Sequence, residues 1–96
     1  MITLDVLCAR FTRLDPDDLR RWIAEGHVRC EVEAGAPCFR EIDVERVRLI
    51  LELRHDLAVN EEALPVVLSL LDQIYALRRR LKQLGAAEDE APSASA

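Results

Sequence analysis

The sequence predicts a mainly α-helical fold: a winged helix-turn-helix with a short β-hairpin, then a linking helix and a long C-terminal coiled-coil helix. Two observations carry this prediction. A helix opened by an Asp-Pro-Asp-Asp run is followed by a short segment of alternating β character. Near the C-terminus, apolar residues recur at alternating spacings of three and four, the a/d pattern of a heptad. Such a narrow stripe favours pairing with a second helix, so we expect a homodimer.

The first two helices are defined by residues suited to their N-terminal caps. Thr3 fits the N-cap of a helix over residues 4–11. The second helix has Asp15 as its N-cap and Pro16 at its first position, and Gly26 ends it. A hairpin then follows, with strands over residues 28–32 and 38–40. Pro37 weakens the return strand because it cannot donate a ladder hydrogen bond, and both strands are expected to be edge strands.

The linking helix is predicted over residues 43–55. Its expected inner face consists of Val44, Val47, Ile50, Leu51 and Leu57. Asn60 then has the character of a cap, but Pro65 comes late for it. Either a single turn precedes the long helix, or that helix starts near Leu64.

The long helix carries the heptad stripe and is predicted to form the dimer interface. The stripe consists of Val67, Leu70, Ile74, Leu77, Leu81 and Leu84. We therefore expect one domain over residues 1–84, divided into a winged helix-turn-helix part (3–42), the linking helix (43–59) and the dimerisation helix (60–84). Residues 85–96 have the Ala, Ser, Pro and acidic composition of a disordered tail.

Composition and charge restrict the possible partners. The chain has 96 residues, a net charge of −5 and a pI near 5.0. Three of the acids, Glu88, Asp89 and Glu90, belong to the tail, which leaves −2 for the body. A nucleic-acid-binding protein usually shows a basic excess or stripe, and this balance instead favours basic partners. With no signal peptide and no long apolar run, we expect a cytoplasmic protein.

Metal binding and catalysis are not expected. Cys30 and Cys38 flank the hairpin turn and His27 is near them in sequence, but structural zinc needs four ligands and no fourth is evident. Together with Cys8, they are expected to be reduced, partly buried thiols. His27 and His55 have no recognisable catalytic partners, so we expect no enzyme, no metal and no cofactor.

DNA binding is the alternative that the order of elements suggests. Arg20 and Arg21 lie on the helix that would enter the major groove. Asp17 and Asp18 lie at the start of the same helix, where carboxylates would oppose contact with phosphates. The arginines are therefore expected to be solvated or paired with these acids, and DNA is an unlikely partner.

Two runs of sequence carry a family resemblance. Residues 48–60 (RLILELRHDLAVN) and 64–74 (LPVVLSLLDQI) resemble the chaperone-modulator family, the CbpM-like proteins, and the order of elements resembles MerR-type regulators. The resemblance covers residues 3–84. It implies a MerR-like fold and an adaptor that binds the J-domain of a DnaJ-like, CbpA-type co-chaperone. Such an adaptor blocks the co-chaperone's stimulation of a DnaK-type chaperone. The alternative is a MerR-type DNA-binding transcription regulator.

Carboxylates are the expected contacts, because the resemblance implies a partner that engages its chaperone through a basic helix. The candidates, chosen by charge and by closeness to the family-like runs, are Asp17, Asp18, Glu52, Asp56, Glu61, Glu62 and Asp72. Each also fits a cap or a solvated helix face. Asp56 and Asp72 are the sharper candidates, because neither lies where a helix start needs an acid.

Overall fold

The computed structural model describes residues 1–85 and confirms the predicted order of elements, with one strand added. Residues 1–64 form one compact unit, and α4 beyond Leu64 belongs to a second. The elements are β1 (Ile2–Thr3), α1 (Leu4–Arg10), α2 (Pro16–Ala24), β2 (Glu31–Glu33), β3 (Ala36–Phe39), α3 (Glu41–Leu51), a π-helical turn (Glu52–Asp56) and α4 (Leu64–Gly85). The largest side chains fully buried in the first unit are Trp22, Phe39, Leu7, Leu19 and Ile50.

Both predicted N-caps of the helix-turn-helix are confirmed. The Thr3 hydroxyl accepts a hydrogen bond from the Val6 N–H at 3.3 Å. The Asp15 carboxylate accepts one from the Asp17 N–H at 2.8 Å. These bonds satisfy amides that have no partner inside the helix. After α2, the chain turns at Gly26, whose φ of +84° suits glycine.

The sheet corrects the prediction that both hairpin strands are edges. Its order is β1-β3-β2, all antiparallel, so β3 is the central strand. Strand β1 pairs with Cys38 and Phe39 only, whereas Pro37 faces Val32 of β2. At Pro37 the strand therefore has a single neighbour, and the missing N–H is tolerated as at an edge.

The hairpin turn is tight and contains a strained residue. Ala34 and Gly35 both have positive φ, +52° and +79°, as the two central residues of a type I′ turn require. Glycine adopts this conformation freely, but in alanine the Cβ is crowded, at a cost of about 1–2 kcal/mol.

Replacing Ala34 with asparagine should stabilise the protein. Asparagine tolerates the left-handed region and is the preferred first residue of this turn. We expect the free energy of unfolding to rise by about 0.5–1 kcal/mol, less than the full strain. Thermal unfolding followed by circular dichroism measures the change. Ala36→Asn, at the first position of β3, is the control and should not stabilise.

The linking helix shows one error in the predicted inner face. Leu57 is 67% exposed, and Leu53 is buried instead. From Glu52 onward the helix widens to a π-helical turn, in which the Leu57 N–H donates to the Glu52 carbonyl five residues back, at 3.0 Å. The wider turn changes the helical phase and carries Leu57 away from the core. The other four residues, Val44, Val47, Ile50 and Leu51, are buried as predicted.

Both alternatives for the segment before the long helix are confirmed. The Asn60 side-chain oxygen accepts a hydrogen bond from the Ala63 N–H at 2.7 Å and caps a single turn over residues 61–63. Helix α4 then begins at Leu64. Pro65 lies in its first turn, where an N–H has no intrahelical partner.

Helix α4 presents most of the heptad stripe to solvent. It has 22 residues and is therefore about 33 Å long. Val67 is half-buried, while the other five stripe residues are 43–74% exposed. Coiled-coil dimerisation stays a prediction. The predicted disordered tail lies, apart from Gly85, outside the described residues.

Candidate partner-binding surface

Both arginines of the would-be recognition helix are paired with acids on the same helix. Arg20 lies 2.8 Å from the Asp17 carboxylate, and Arg21 lies 2.9 Å from that of Asp18. The hydrogen bond to Asp18, together with the nearby charge of Glu61, raises the pKa of Arg21 above its usual value. The exposed face of α2 therefore carries balanced charge rather than a basic stripe.

Glu61 lies at the centre of a half-buried polar network. Its Oε2 is 2.8 Å from Arg54 Nε and 3.2 Å from Arg21, and its Oε1 accepts a hydrogen bond from Trp22 Nε1 at 3.3 Å. Arg54 also donates to the Val59 carbonyl at 2.6 Å. This predicted contact residue therefore connects α2 to the segment that follows the linking helix. Sequence reasoning missed Trp22 in this network, although its buried indole N–H required an acceptor.

An open cleft of about 260 Å³ brings together two of the predicted contact residues, Glu52 and Asp56. Its other lining residues are Arg10, Phe11, Thr12, Arg13, Arg48 and Leu51. Asp56 forms an ion pair with Arg13 at 3.1 Å, in which both side chains are about half exposed. The Arg48 guanidinium lies over the Phe11 ring, 5.4 Å from its centre. The cleft is therefore mainly polar, with three arginines and two acids in its lining.

The other two predicted contact residues, Glu62 and Asp72, lie outside the cleft and the Glu61 network. Glu62 is exposed in the turn before α4, and Asp72 is exposed on α4 itself, in the second unit. The seven predicted contacts thus divide among the start of α2, the Glu61 network, the cleft, the turn and α4. The structure brings together Glu52 with Asp56, and Asp18 with Glu61 through Arg21.

The cysteines and histidines form no metal site in the described part of the chain. Cys38 is buried, and Cys8 and Cys30 are half-buried free thiols. Within residues 1–85 there is no group of three or more His, Cys, Asp or Glu side chains that could hold an ion. His27 Nε2 lies 3.3 Å from Glu25 but is buried and outside hydrogen-bond geometry, and His55 is exposed. Across the same residues, none of the helices combines the length and apolarity needed to cross a membrane.

The arrangement of capped α1 and α2, a β wing and a linking helix defines a winged helix-turn-helix protein. The family model described as MerR HTH family regulatory protein matches residues 2–85. The chain therefore belongs to the MerR helix-turn-helix family. Searches of curated proteins and of solved structures returned no match to it.

Proposed function

We propose that this chain is a non-enzymatic adaptor that binds the J-domain of a DnaJ-like, CbpA-type co-chaperone and inhibits its stimulation of a DnaK-type chaperone. The observation that carries the proposal is the pairing of Arg20 and Arg21 with Asp17 and Asp18 on α2. Whether or not these pairs open, the two carboxylates remain at the start of the would-be recognition helix, where they oppose contact with phosphates. The resemblance of residues 48–74 to the chaperone-modulator proteins supplies the partner, and the acidic balance of the chain suits that partner's basic helix.

Inhibition would follow from competition for one surface. A J-domain whose basic helix lies against this protein cannot present that helix to its chaperone. Exposed ion pairs within the adaptor contribute only about 0–1 kcal/mol each, so a partner cation can replace an internal arginine at low cost. Charge complementarity would also accelerate association at low salt.

The active form in this proposal is a cytoplasmic homodimer joined through the α4 stripe, without metal or cofactor. Five stripe residues are 43–74% exposed in the single chain, and a second copy would cover them. A two-fold dimer would offer two equivalent J-domain sites.

The test uses the purified chain with the J-domain protein and the DnaK-type chaperone of the same organism. We expect direct binding by calorimetry and loss of the J-domain-stimulated ATP hydrolysis, while the chaperone's basal rate is unchanged. Association measured by stopped flow should slow as salt is raised. Full stimulation in the presence of excess adaptor would contradict the proposal.

The alternative, a MerR-type DNA-binding regulator, is favoured by the family match over residues 2–85. It predicts tight binding to duplex DNA that weakens steeply with added salt, because counterions are released from the phosphates. Under the adaptor proposal, gel shifts at physiological salt should show little binding.

A further inference from the structure

The C-terminal half of α4 carries cations that no acid of the same helix neutralises. Four exposed cations occur within five residues: Arg78, Arg79, Arg80 and Lys82. None of the four has an acid partner within α4, whereas at least six of the nine arginines that precede this helix form ion pairs. Positive charge is therefore concentrated here in a form that an external anion can use.

The helix itself accounts for only part of this cluster. Cations stabilise the negative end of the helix dipole within the last turn, and Lys82 is the basic residue of that turn. The three arginines precede it. Arg78 and Lys82 lie four residues apart, a spacing at which like charges destabilise a helix. The cluster thus departs from helix preference without a compensating ion pair on α4, a property that is expected of functional surfaces.

An exposed aromatic ring shares one face of the helix with three of the cations. Successive residues of an α-helix are about 100° apart, which places Arg78, Arg79 and Lys82 within about 60° of Tyr75 around the axis. Arg80 lies about 140° from Tyr75 on the same count. Tyr75 is 48% exposed, while the other three aromatic residues of the chain are buried or half-buried. We call Tyr75, Arg78, Arg79 and Lys82 the α4 basic face.

The α4 basic face stays accessible in a dimer that pairs through the heptad stripe. With the stripe residues at positions a and d, Tyr75 and Lys82 fall at position b and Arg79 at position f. These positions point away from the second helix of a two-stranded coiled coil.

We propose that the α4 basic face binds single-stranded nucleic acid, with one unpaired base stacked on Tyr75 and the adjacent phosphates on Arg78, Arg79 and Lys82. A cationic surface that also offers an aromatic ring is the combination by which proteins hold single strands. An acidic peptide would pair with the cations but would leave the ring unused. The proposal is independent of J-domain binding and of the surface of α2.

The net charge of −5 does not oppose this local attraction. Exposed charges are largely screened beyond about 8 Å at physiological ionic strength. The nearest acid on α4, Asp72, precedes Arg78 by six residues, which is about 9 Å along the axis. Even together with the acids at positions 88–90, residues 78–90 keep a net charge of +1.

The experiment measures fluorescence anisotropy of a labelled oligothymidylate of about 12 nucleotides, a length within the site sizes known for single-strand binders. The full chain should bind it at low salt, more tightly than a duplex of the same length, in which the bases are already paired and stacked. With three phosphate contacts, affinity should fall roughly 15-fold between about 50 and 200 mM salt. Tyr75→Ala should weaken binding about tenfold, and Tyr75→Phe, which keeps the ring, should bind within twofold of the wild type.

Arg79→Gln and Arg80→Gln form a matched pair, because they make the same change at adjacent exposed residues and only Arg79 lies on the face. Arg79→Gln should reduce the slope of log affinity against log salt by about 0.7, whereas Arg80→Gln should leave it unchanged. Thermal unfolding checks that each variant is folded. Equal losses for the two variants, with Tyr75→Ala like the wild type, would mean diffuse attraction of any anion and would overturn the proposal. Absence of binding by the wild type at low salt, or equal competition by polyglutamate, would also overturn it.

Discussion

The double variant Ile74→Glu with Leu77→Glu is expected to sediment as a monomer at micromolar concentration, where the wild type should be a dimer. These residues lie at the middle of the α4 stripe and are 43% and 59% exposed in the single chain. Fully burying an aliphatic side chain stabilises by about 1.5–3 kcal/mol, and a two-fold interface loses the contribution of four side chains at once. Burying the new carboxylates in the apolar interface costs additional free energy of association. The dimer dissociation constant should therefore rise at least about 1,000-fold.

The control variant places two glutamates on the other side of the same helix. Ser69 and Gln83 are exposed and lie outside the a/d positions. Ser69→Glu with Gln83→Glu should remain dimeric. Glutamate is a good helix former, and at these two positions it does not face the second helix of the dimer. Sedimentation velocity distinguishes the two variants. A wild type that is monomeric at micromolar concentration would contradict the heptad interpretation, and a dimeric stripe variant would place the interface elsewhere.

The parts of the fold that the sequence predicted are encoded by neighbouring residues. Asp15 could be recognised as a cap because its acceptor acts on an amide two residues away. Strand β1 was missed because two residues carry no periodicity and their pairing, Ile2 with Phe39, spans most of the helix-turn-helix. The burial of Leu53 rather than Leu57 was missed because the inner face was projected on a regular helix, whereas the chain changes its winding at Glu52.

The candidate surface likewise contains some contacts that neighbouring residues encode and others that only the fold creates. Arg20 and Arg21 could be anticipated to pair with acids, since residues three apart on a helix are neighbours. The Asp56–Arg13 pair joins residues 43 apart in the sequence, and the Trp22–Glu61 bond joins residues 39 apart. Charge and closeness to the family-like runs made both Asp56 and Glu61 candidates, with Asp56 the sharper one because it does not lie where a helix start needs an acid. The fold separates them: Asp56 forms an exposed ion pair with Arg13, whereas Glu61 lies in a half-buried network with Arg54 and Trp22.

Glu61→Ala is expected to destabilise the protein strongly, whereas Glu62→Ala, the same change at the next residue, should not. The substitution removes the acceptor of the Trp22 indole N–H, and because Trp22 is only 2% exposed, water cannot readily replace that acceptor. A buried donor left unsatisfied costs about 1–3 kcal/mol. Arg21 and Arg54 are partly exposed, so their lost ion pairs are largely rehydrated and add less. We expect a total of about 2–3 kcal/mol, or roughly 10–20 °C in Tm for a domain of this size.

Urea and thermal unfolding should be compared at one protein concentration, because the stability of a dimer depends on it. Glu61→Gln provides the intermediate case: its amide oxygen can still accept the Trp22 hydrogen bond, but the charge that faces Arg54 is gone. The expected order of unfolding midpoints is Glu62→Ala above Glu61→Gln above Glu61→Ala. If Glu61→Ala unfolds at the same midpoint as Glu62→Ala, the network does not stabilise the fold. Glu61 would then return to the set of acids available to a basic partner, and its effect on J-domain binding would have to be measured beside that of Glu52.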